Sequence, residues 1–388
     1  MSTPSDLRDN VVSALLVSPH FTVRTAMPLL LAGLAQAYGY REAALGALGS
    51  AYSVGSLVAA LAALWWADRM LRLPVVIGML IGTLGLVVVL YAASYGGVFA
   101  GFLLAGIGFG GVYSWMLSWL VVAAQPSRTL AWQWGVGTLP GMAFLYLIPG
   151  LGAGAAGVRQ TFLAVLLANL LAGAAALYLP RQWHALATRP RAAAASAAVR
   201  AAPQAPAVYL AAAALFAIYA GCTGGWSLLA RLAHHDGLEP GFAGLALSFA
   251  TAASCVVAVL LMRWGDRGGR TAFMAWGVAS MMAGLGCVGW LPGRAGFALG
   301  TLLFISLSAY VLTYCGGLIA RRARGARSAG LSAIALGAGA ILGPAAAGYL
   351  YQVGGPRLML WCAALTLAAG LMAYARANRM RPEDHLST

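Results

Sequence analysis

Long apolar runs alternate with short polar breaks along the whole of this 388-residue chain. Most runs extend roughly 18 to 27 residues, and a helix rising about 1.5 Å per residue needs about 20 to cross a hydrocarbon core near 30 Å thick. Twelve runs are found, near 11–37, 45–66, 74–94, 98–124, 132–151, 158–179, 208–229, 242–261, 272–291, 297–320, 329–351 and 358–374. The pattern predicts an all-α integral membrane protein with twelve transmembrane helices. The longest break, 180–206, reads "PRQWHALATRPRAAAASAAVRAAPQAP", and its Pro, Ala and Arg content predicts a cytoplasmic linker. It separates an N-terminal six-helix bundle, 1–179, from a C-terminal six-helix bundle with a cytoplasmic tail, 207–388.

Composition agrees with the pattern: apolar residues make up 61% of the chain and charged residues 9%, well outside the range of soluble domains. The first run is too long for a signal-peptide core and carries Arg24 at its centre, so no cleaved signal is expected. Cys222, Cys255, Cys287, Cys315 and Cys362 all fall within predicted spans without a C-x-x-C, which argues against a disulfide framework or structural zinc. His234, His235 and Asp236 fall in an outer loop and read as a solvated rim rather than a metal site. No cofactor is expected.

The net charge of +15 is informative only through its placement. With a cytoplasmic N-terminus, 18 of the 24 arginines lie in cytoplasmic loops and tails, and five (Arg41, Arg159, Arg231, Arg294, Arg357) lie opposite. Positive charge marks the cytoplasmic side. The expected location is a bacterial inner membrane, multi-pass, with both termini cytoplasmic. The charge then implies contact with anionic lipid and no nucleic-acid partner.

The two halves carry an internal repeat. At an offset of 198 residues "WADRMLR" lies on "WGDRGGR", pairing Trp66 with Trp264, Asp68 with Asp266, Arg69 with Arg267 and Arg72 with Arg270. Gly46 and Ser50 fall on Gly244 and Ser248 at the same offset. The fifth helix of each half matches too: "GVGTLPGMAF" holds Pro140 and Gly141, and "GAILGPAAAG" holds Gly343 and Pro344. Small residues let helix backbones approach closely, and proline loosens the backbone ladder where a bend is wanted.

These residues resemble the major facilitator superfamily of secondary transporters, over the whole chain. Its loop motif between the second and third helices, roughly G-x-x-x-D-R-x-G-R-R/K, is similar to Gly265, Asp266, Arg267, Gly269 and Arg270, and more loosely to Asp68, Arg69 and Arg72. The arginine motif of the fourth helix is absent. The resemblance implies two pseudo-symmetric six-helix bundles rocking about a central cavity. It also implies that Asp68, Arg69, Arg72, Asp266, Arg267 and Arg270 form a cytoplasmic latch, and that Pro140, Gly141, Gly343 and Pro344 bend their helices.

Arg24 is the chemical anomaly. It lies about thirteen residues from either end of its run, too deep to snorkel past a half-thickness of about 15 Å. An arginine there costs at least about 3 kcal/mol and persists where it faces water, a partner or a ligand. None of the nine acidic residues (Asp6, Asp9, Glu42, Asp68, Asp236, Glu239, Asp266, Glu383, Asp384) is predicted near the midplane. The missing counter-ion can be an anionic substrate, which a guanidinium grips through two parallel bonds. The alternative is structural: Arg24 bonds to carbonyls freed near Pro19 and Pro28. His20 lies one turn away on the same face and is the only deep group whose unperturbed pKa, about 6.5, suits proton coupling.

Tyr52, Tyr113, Tyr146, Tyr219, Trp226, Tyr310 and Tyr314 are the further candidate wall residues. Tyr310 and Tyr314, four apart, can share one face, whereas Tyr113 and Trp115 cannot. The expected function is secondary transport of a small, carboxylate-type organic anion by a monomeric carrier, proton-linked or by exchange. A proton-coupled exporter of drugs or metabolites, and a non-transporting receptor or assembly factor of the same fold, are the alternatives. An enzyme is not expected: membrane aspartates are lacking, and His20 is the only deep histidine.

Overall fold

The computed structural model describes residues 4–66, 72–120, 126–152, 154–178, 206–264, 270–322 and 327–380. The first half contains α1 (Pro4–Tyr38), α2 (Glu42–Trp66), α3 (Arg72–Tyr91), α4 (Tyr95–Leu120), α5 (Pro126–Leu147) and α6 (Gly154–Ala174). The second contains α7 (Pro206–His235), α8 (Pro240–Trp264), α9 (Arg270–Trp290), α10 (Gly293–Ser306), α11 (Ser308–Arg322) and α12 (Arg327–Arg379). Short 3-10 turns, Ile148–Leu151 and Ala175–Tyr178, follow α5 and α6. All the described regular structure is helical, and eleven described helical segments are long and apolar enough to cross a membrane.

Those eleven segments make twelve crossings because α12 spans twice. Its 53 residues correspond to about 80 Å of helix, far more than one bilayer thickness. The chain turns at Gly355, whose φ of 75° and ψ of −177° are accessible to glycine and strained for other residues. "VGGP" is therefore the turn between the eleventh and twelfth crossings.

One expected helix is not continuous. The run 297–320 reads as a single helix in the sequence, but the structure breaks it at Leu307, between α10 and α11. Just beyond the break, Ser308 Oγ donates to the Ile305 carbonyl at 2.7 Å, a bond that competes with the backbone ladder.

The repeat seen in the sequence reappears as two matching seams between the halves. Along one, α2 lies against α12: Ser50 Oγ donates to the Ile341 carbonyl at 2.5 Å, and a Cβ on Gly46 would collide with the Pro344 carbonyl oxygen. Along the other, α8 lies against α5: Ser248 Oγ donates to the Met142 carbonyl at 3.1 Å, and a Cβ on Gly244 would collide with the Leu145 carbonyl oxygen. Glycine allows the backbones to touch, and serine then supplies the polar bond. Gly141 gives α5 the same closeness to Thr25 of α1 that Gly343 gives α12 to Thr223 of α7. Both α5 and α12 stay helical through Pro140 and Pro344.

Candidate functional site

The site is built on α1 and α7, the central helices of the two halves. α1 is almost wholly enclosed, and Arg24 stands at the midpoint of its Asn10–Tyr38 span. Two prolines inside α1 each remove an amide and free the carbonyl four residues earlier. Pro19 frees that of Leu15, which accepts from Ser18 Oγ at 2.8 Å. Pro28 frees that of Arg24 itself. This carbonyl accepts from the indole Nε1 of Trp226, on α7, at 3.1 Å. The freed carbonyls thus have their own donors, and the guanidinium is left for other work.

The Arg24 side chain is half-buried, and its Nη2 donates a hydrogen bond to the Tyr219 hydroxyl of α7. Tyr219 and Trp226 are seven residues apart on α7, or two turns. They hold one arginine by its side chain and its main chain. Both bonds cross from one half of the molecule to the other.

His20, 3% exposed, is held by the first half alone. The Tyr52 hydroxyl of α2 lies 3.0 Å from its Nδ1 and 3.5 Å from its own carbonyl oxygen. Tyr113 of α4 stacks on the imidazole, with centroids 4.7 Å apart and planes within 3°. Phe21 closes the edge of both rings and touches Trp134. Among the described residues, acids lie only at the ends of helices or in turns, and no carboxylate pairs with Arg24 or His20.

Six sequence candidates therefore come together: His20, Arg24, Tyr52, Tyr113, Tyr219 and Trp226. Tyr146 does not join them, since it is 61% exposed on the outside of α5. Tyr310 and Tyr314 pack on each other at 4.6 Å, and Tyr310 also contacts Phe273 of α9 at 6.2 Å. Among the described residues, their ring contacts do not reach the Arg24 cluster. Asp68, Arg69, Asp266 and Arg267 lie outside the described residues, as do the side chains of Arg72 and Arg270. His235 lies 3.3 Å from Asp236, and no metal-binding group of three is found among the described residues.

An ion pair between the halves was not anticipated. Arg231 Nη2 of α7 meets Glu42 Oε1 of α2 at 2.7 Å, and the Ala43 amide donates to Gln352 Oε1 at 3.3 Å. With the Ser50 and Ser248 bonds and those of Arg24, every described hydrogen bond between the halves lies between the Arg24 level and the turns that join α1 to α2 and α7 to α8. The described contacts between the halves thus gather at this end.

A family model for the Major Facilitator Superfamily matches residues 14–320. The chain belongs to that superfamily. It is a multi-pass membrane transporter and not an enzyme. Solved structures of similar fold include the nucleoside transporter NupG, with a TM-score of 0.69, 14% identity, and coverage of 98% of this chain and 100% of that one. The human organic anion transporter MFSD10 follows with a TM-score of 0.68, 16% identity and coverage of 96% and 100%. Tetrameric PepTSo2 gives 0.68, 14%, and 96% and 97%. No curated protein matches the sequence.

Proposed function

We propose that this superfamily member is a secondary transporter of a small organic anion, with Arg24 as the group that pairs with the solute. One observation carries the reading: among the described residues, a guanidinium at the middle of the most enclosed helix has a neutral phenol and no carboxylate beside it. A half-buried cation whose described partner is neutral leaves its charge to be balanced by an anion. The fold is shared by a nucleoside transporter and an organic anion transporter, so the fold leaves the solute class open. Arg24 decides it. The surrounding rings of His20, Tyr113, Tyr219 and Trp226 suit a flat or apolar body behind the charged head.

The carrier works by alternating access in a bacterial inner membrane, as a monomer. With the arginine-rich side cytoplasmic, the end where the described contacts between the halves gather faces outward. The cytoplasmic latch around Asp68 and Asp266 closes in the opposite state. Energy comes from a proton gradient or from exchange for a second anion.

The test is binding of a panel of carboxylates to purified protein, read by thermal stabilisation. Arg24→Ala and Arg24→Lys, which lacks the fork, are expected to lose about two orders of magnitude in affinity while remaining folded. Parent-like affinity in Arg24→Ala would make the arginine structural.

A further inference from the structure

Resting on the proposed reading of Arg24, we infer that the empty carrier responds to membrane voltage and the anion-loaded carrier does not. The guanidinium is an unbalanced charge whose electrical position changes when access to the site switches sides, and a bound monovalent anion cancels it.

Charge in this chain is confined to the helix ends except at one place. Arg24 stands at the midpoint of Asn10–Tyr38. Every other arginine and all nine acids lie within about two turns of a helix end or of the Gly355 turn, or in the segments between helices. The described partners of Arg24 do not alter this: the Tyr219 hydroxyl and the Trp226 indole are neutral, and both bonds leave the guanidinium ionised. With His20 neutral, the empty site carries one positive charge.

In alternating access a fixed charge is carried through the membrane field without travelling far, because it is the aqueous path that changes sides. Open to the cytoplasm, Arg24 sits near the inside potential; open outward, it sits near the outside potential. One elementary charge crossing the whole field shifts a two-state ratio by about fiftyfold per 100 mV. A potential negative inside therefore holds the empty carrier with Arg24 facing the cytoplasm. A carboxylate paired with Arg24 brings the sum to zero, and the loaded carrier switches without regard to voltage.

Two modes of transport are thereby separated. Exchange of one monovalent anion for another uses the loaded carrier alone and is indifferent to voltage. Net uptake requires the carrier to return outward empty, and a potential negative inside slows that return.

The experiment uses the full-length protein in liposomes at pH 8, where an ordinary histidine is neutral, with benzoate as the probe. Arg41→Cys and His235→Cys, at exposed positions on opposite halves near the Arg231–Glu42 pair, receive membrane-impermeant donor and acceptor dyes, so that only carriers with this end outward are labelled. Potassium gradients with valinomycin set the potential, and energy transfer reads the distance. On stepping from about 50 mV positive to about 50 mV negative inside, the empty carrier is expected to shift toward the close-dye population by about fivefold or more. Saturating benzoate should abolish the shift. Arg24→Gln, which is neutral, should lose the response, and Arg24→Lys, which keeps the charge without the fork, should retain it. An empty carrier that ignores the potential overturns the inference, as does an equal response in Arg24→Gln or a response that survives saturating benzoate. Failure of the underlying anion reading is seen separately, as the absence of benzoate binding by thermal stabilisation. The responses of the empty carrier and of Arg24→Gln then still decide whether Arg24 is the charge that crosses the field.

Discussion

Arg231 and Glu42 form an ion pair 2.7 Å long between α7 and α2, with each side chain about one-fifth exposed. The pair joins the two halves where the described contacts between them gather, and with both side chains largely shielded from water its attraction exceeds that of a surface pair. Glu42→Gln leaves the geometry and removes the charge. Spin labels at Arg41 and His235, both exposed and on opposite halves, should then show a new population at longer distance. An unchanged distance distribution would reduce the pair to a passive contact.

The glycines of the two seams give a second prediction. A Cβ at Gly46 would stand 3.1 Å from the Gly348 Cα and closer still to the Pro344 carbonyl, and one at Gly244 would stand 2.9 Å from Pro149 Cγ and closer to the Leu145 carbonyl. Backbone cannot yield as a side-chain tip can, and overpacking costs about 1 to 3 kcal/mol. Gly46→Ala and Gly244→Ala should each prevent full closure of the seam they line, shift the same spin-label distances outward, and slow transport about tenfold. The matched response of repeat-related positions is the point of the experiment. If only one substitution acts, the seams are not equivalent.

Much of this organisation was legible in the sequence. The twelve crossings follow from run length alone, and the Gly46/Gly244 and Ser50/Ser248 matches mark the seam positions before any partner is known. The deep position of Arg24 was equally plain. The pairing of Arg231 with Glu42 was not, because residues 189 apart in sequence and both near predicted helix ends carry no periodic signal that links them. Tyr146, exposed on α5 and apart from the Arg24 cluster, was named a wall candidate on aromatic type, which says nothing about helix face. The break at Leu307 was missed because "LLFISLSAY" satisfies the hydropathy pattern, which does not register that Ser308 bonds the backbone there. One relationship could have been found by arithmetic, since Pro28 requires a donor for the carbonyl four residues before it.

That donor supplies a third prediction. Trp226→Phe leaves the Arg24 carbonyl buried without its bond, at a cost of about 1 to 3 kcal/mol, and should lower the Tm. Pro28→Ala restores an amide that can bond the same carbonyl within α1. The double variant should therefore be more stable than Trp226→Phe alone, by most of what the single change lost. Additive losses in the double-mutant cycle would show that the indole acts through packing and not through this bond.

Energy coupling is the last question, and His20 is where it can be decided. No acid lies near it among the described residues, so a carboxylate cannot carry the proton there. The Tyr52 hydroxyl has the His20 Nδ1 at 3.0 Å and the His20 carbonyl at 3.5 Å. It can donate to a neutral ring, and when the ring is protonated it can accept from Nδ1 and turn its own hydrogen to the carbonyl. Both protonation states are therefore provided with partners. A cation on His20 one turn from Arg24 is repelled in the empty site, and a bound anion offsets that repulsion, so anion and proton bind more readily together than singly. Such linkage is the thermodynamic condition for symport. The competing scheme is exchange, in which only the anion-loaded carrier reorients. In liposomes under an imposed pH gradient, the parent should accumulate the anion and His20→Gln should retain exchange while ignoring the gradient. If both proteins follow the gradient equally, transport is proton-linked through another group. If the parent ignores the gradient and requires an anion on the opposite side, the carrier is an exchanger and His20 serves only to hold Tyr52 and Tyr113 in place.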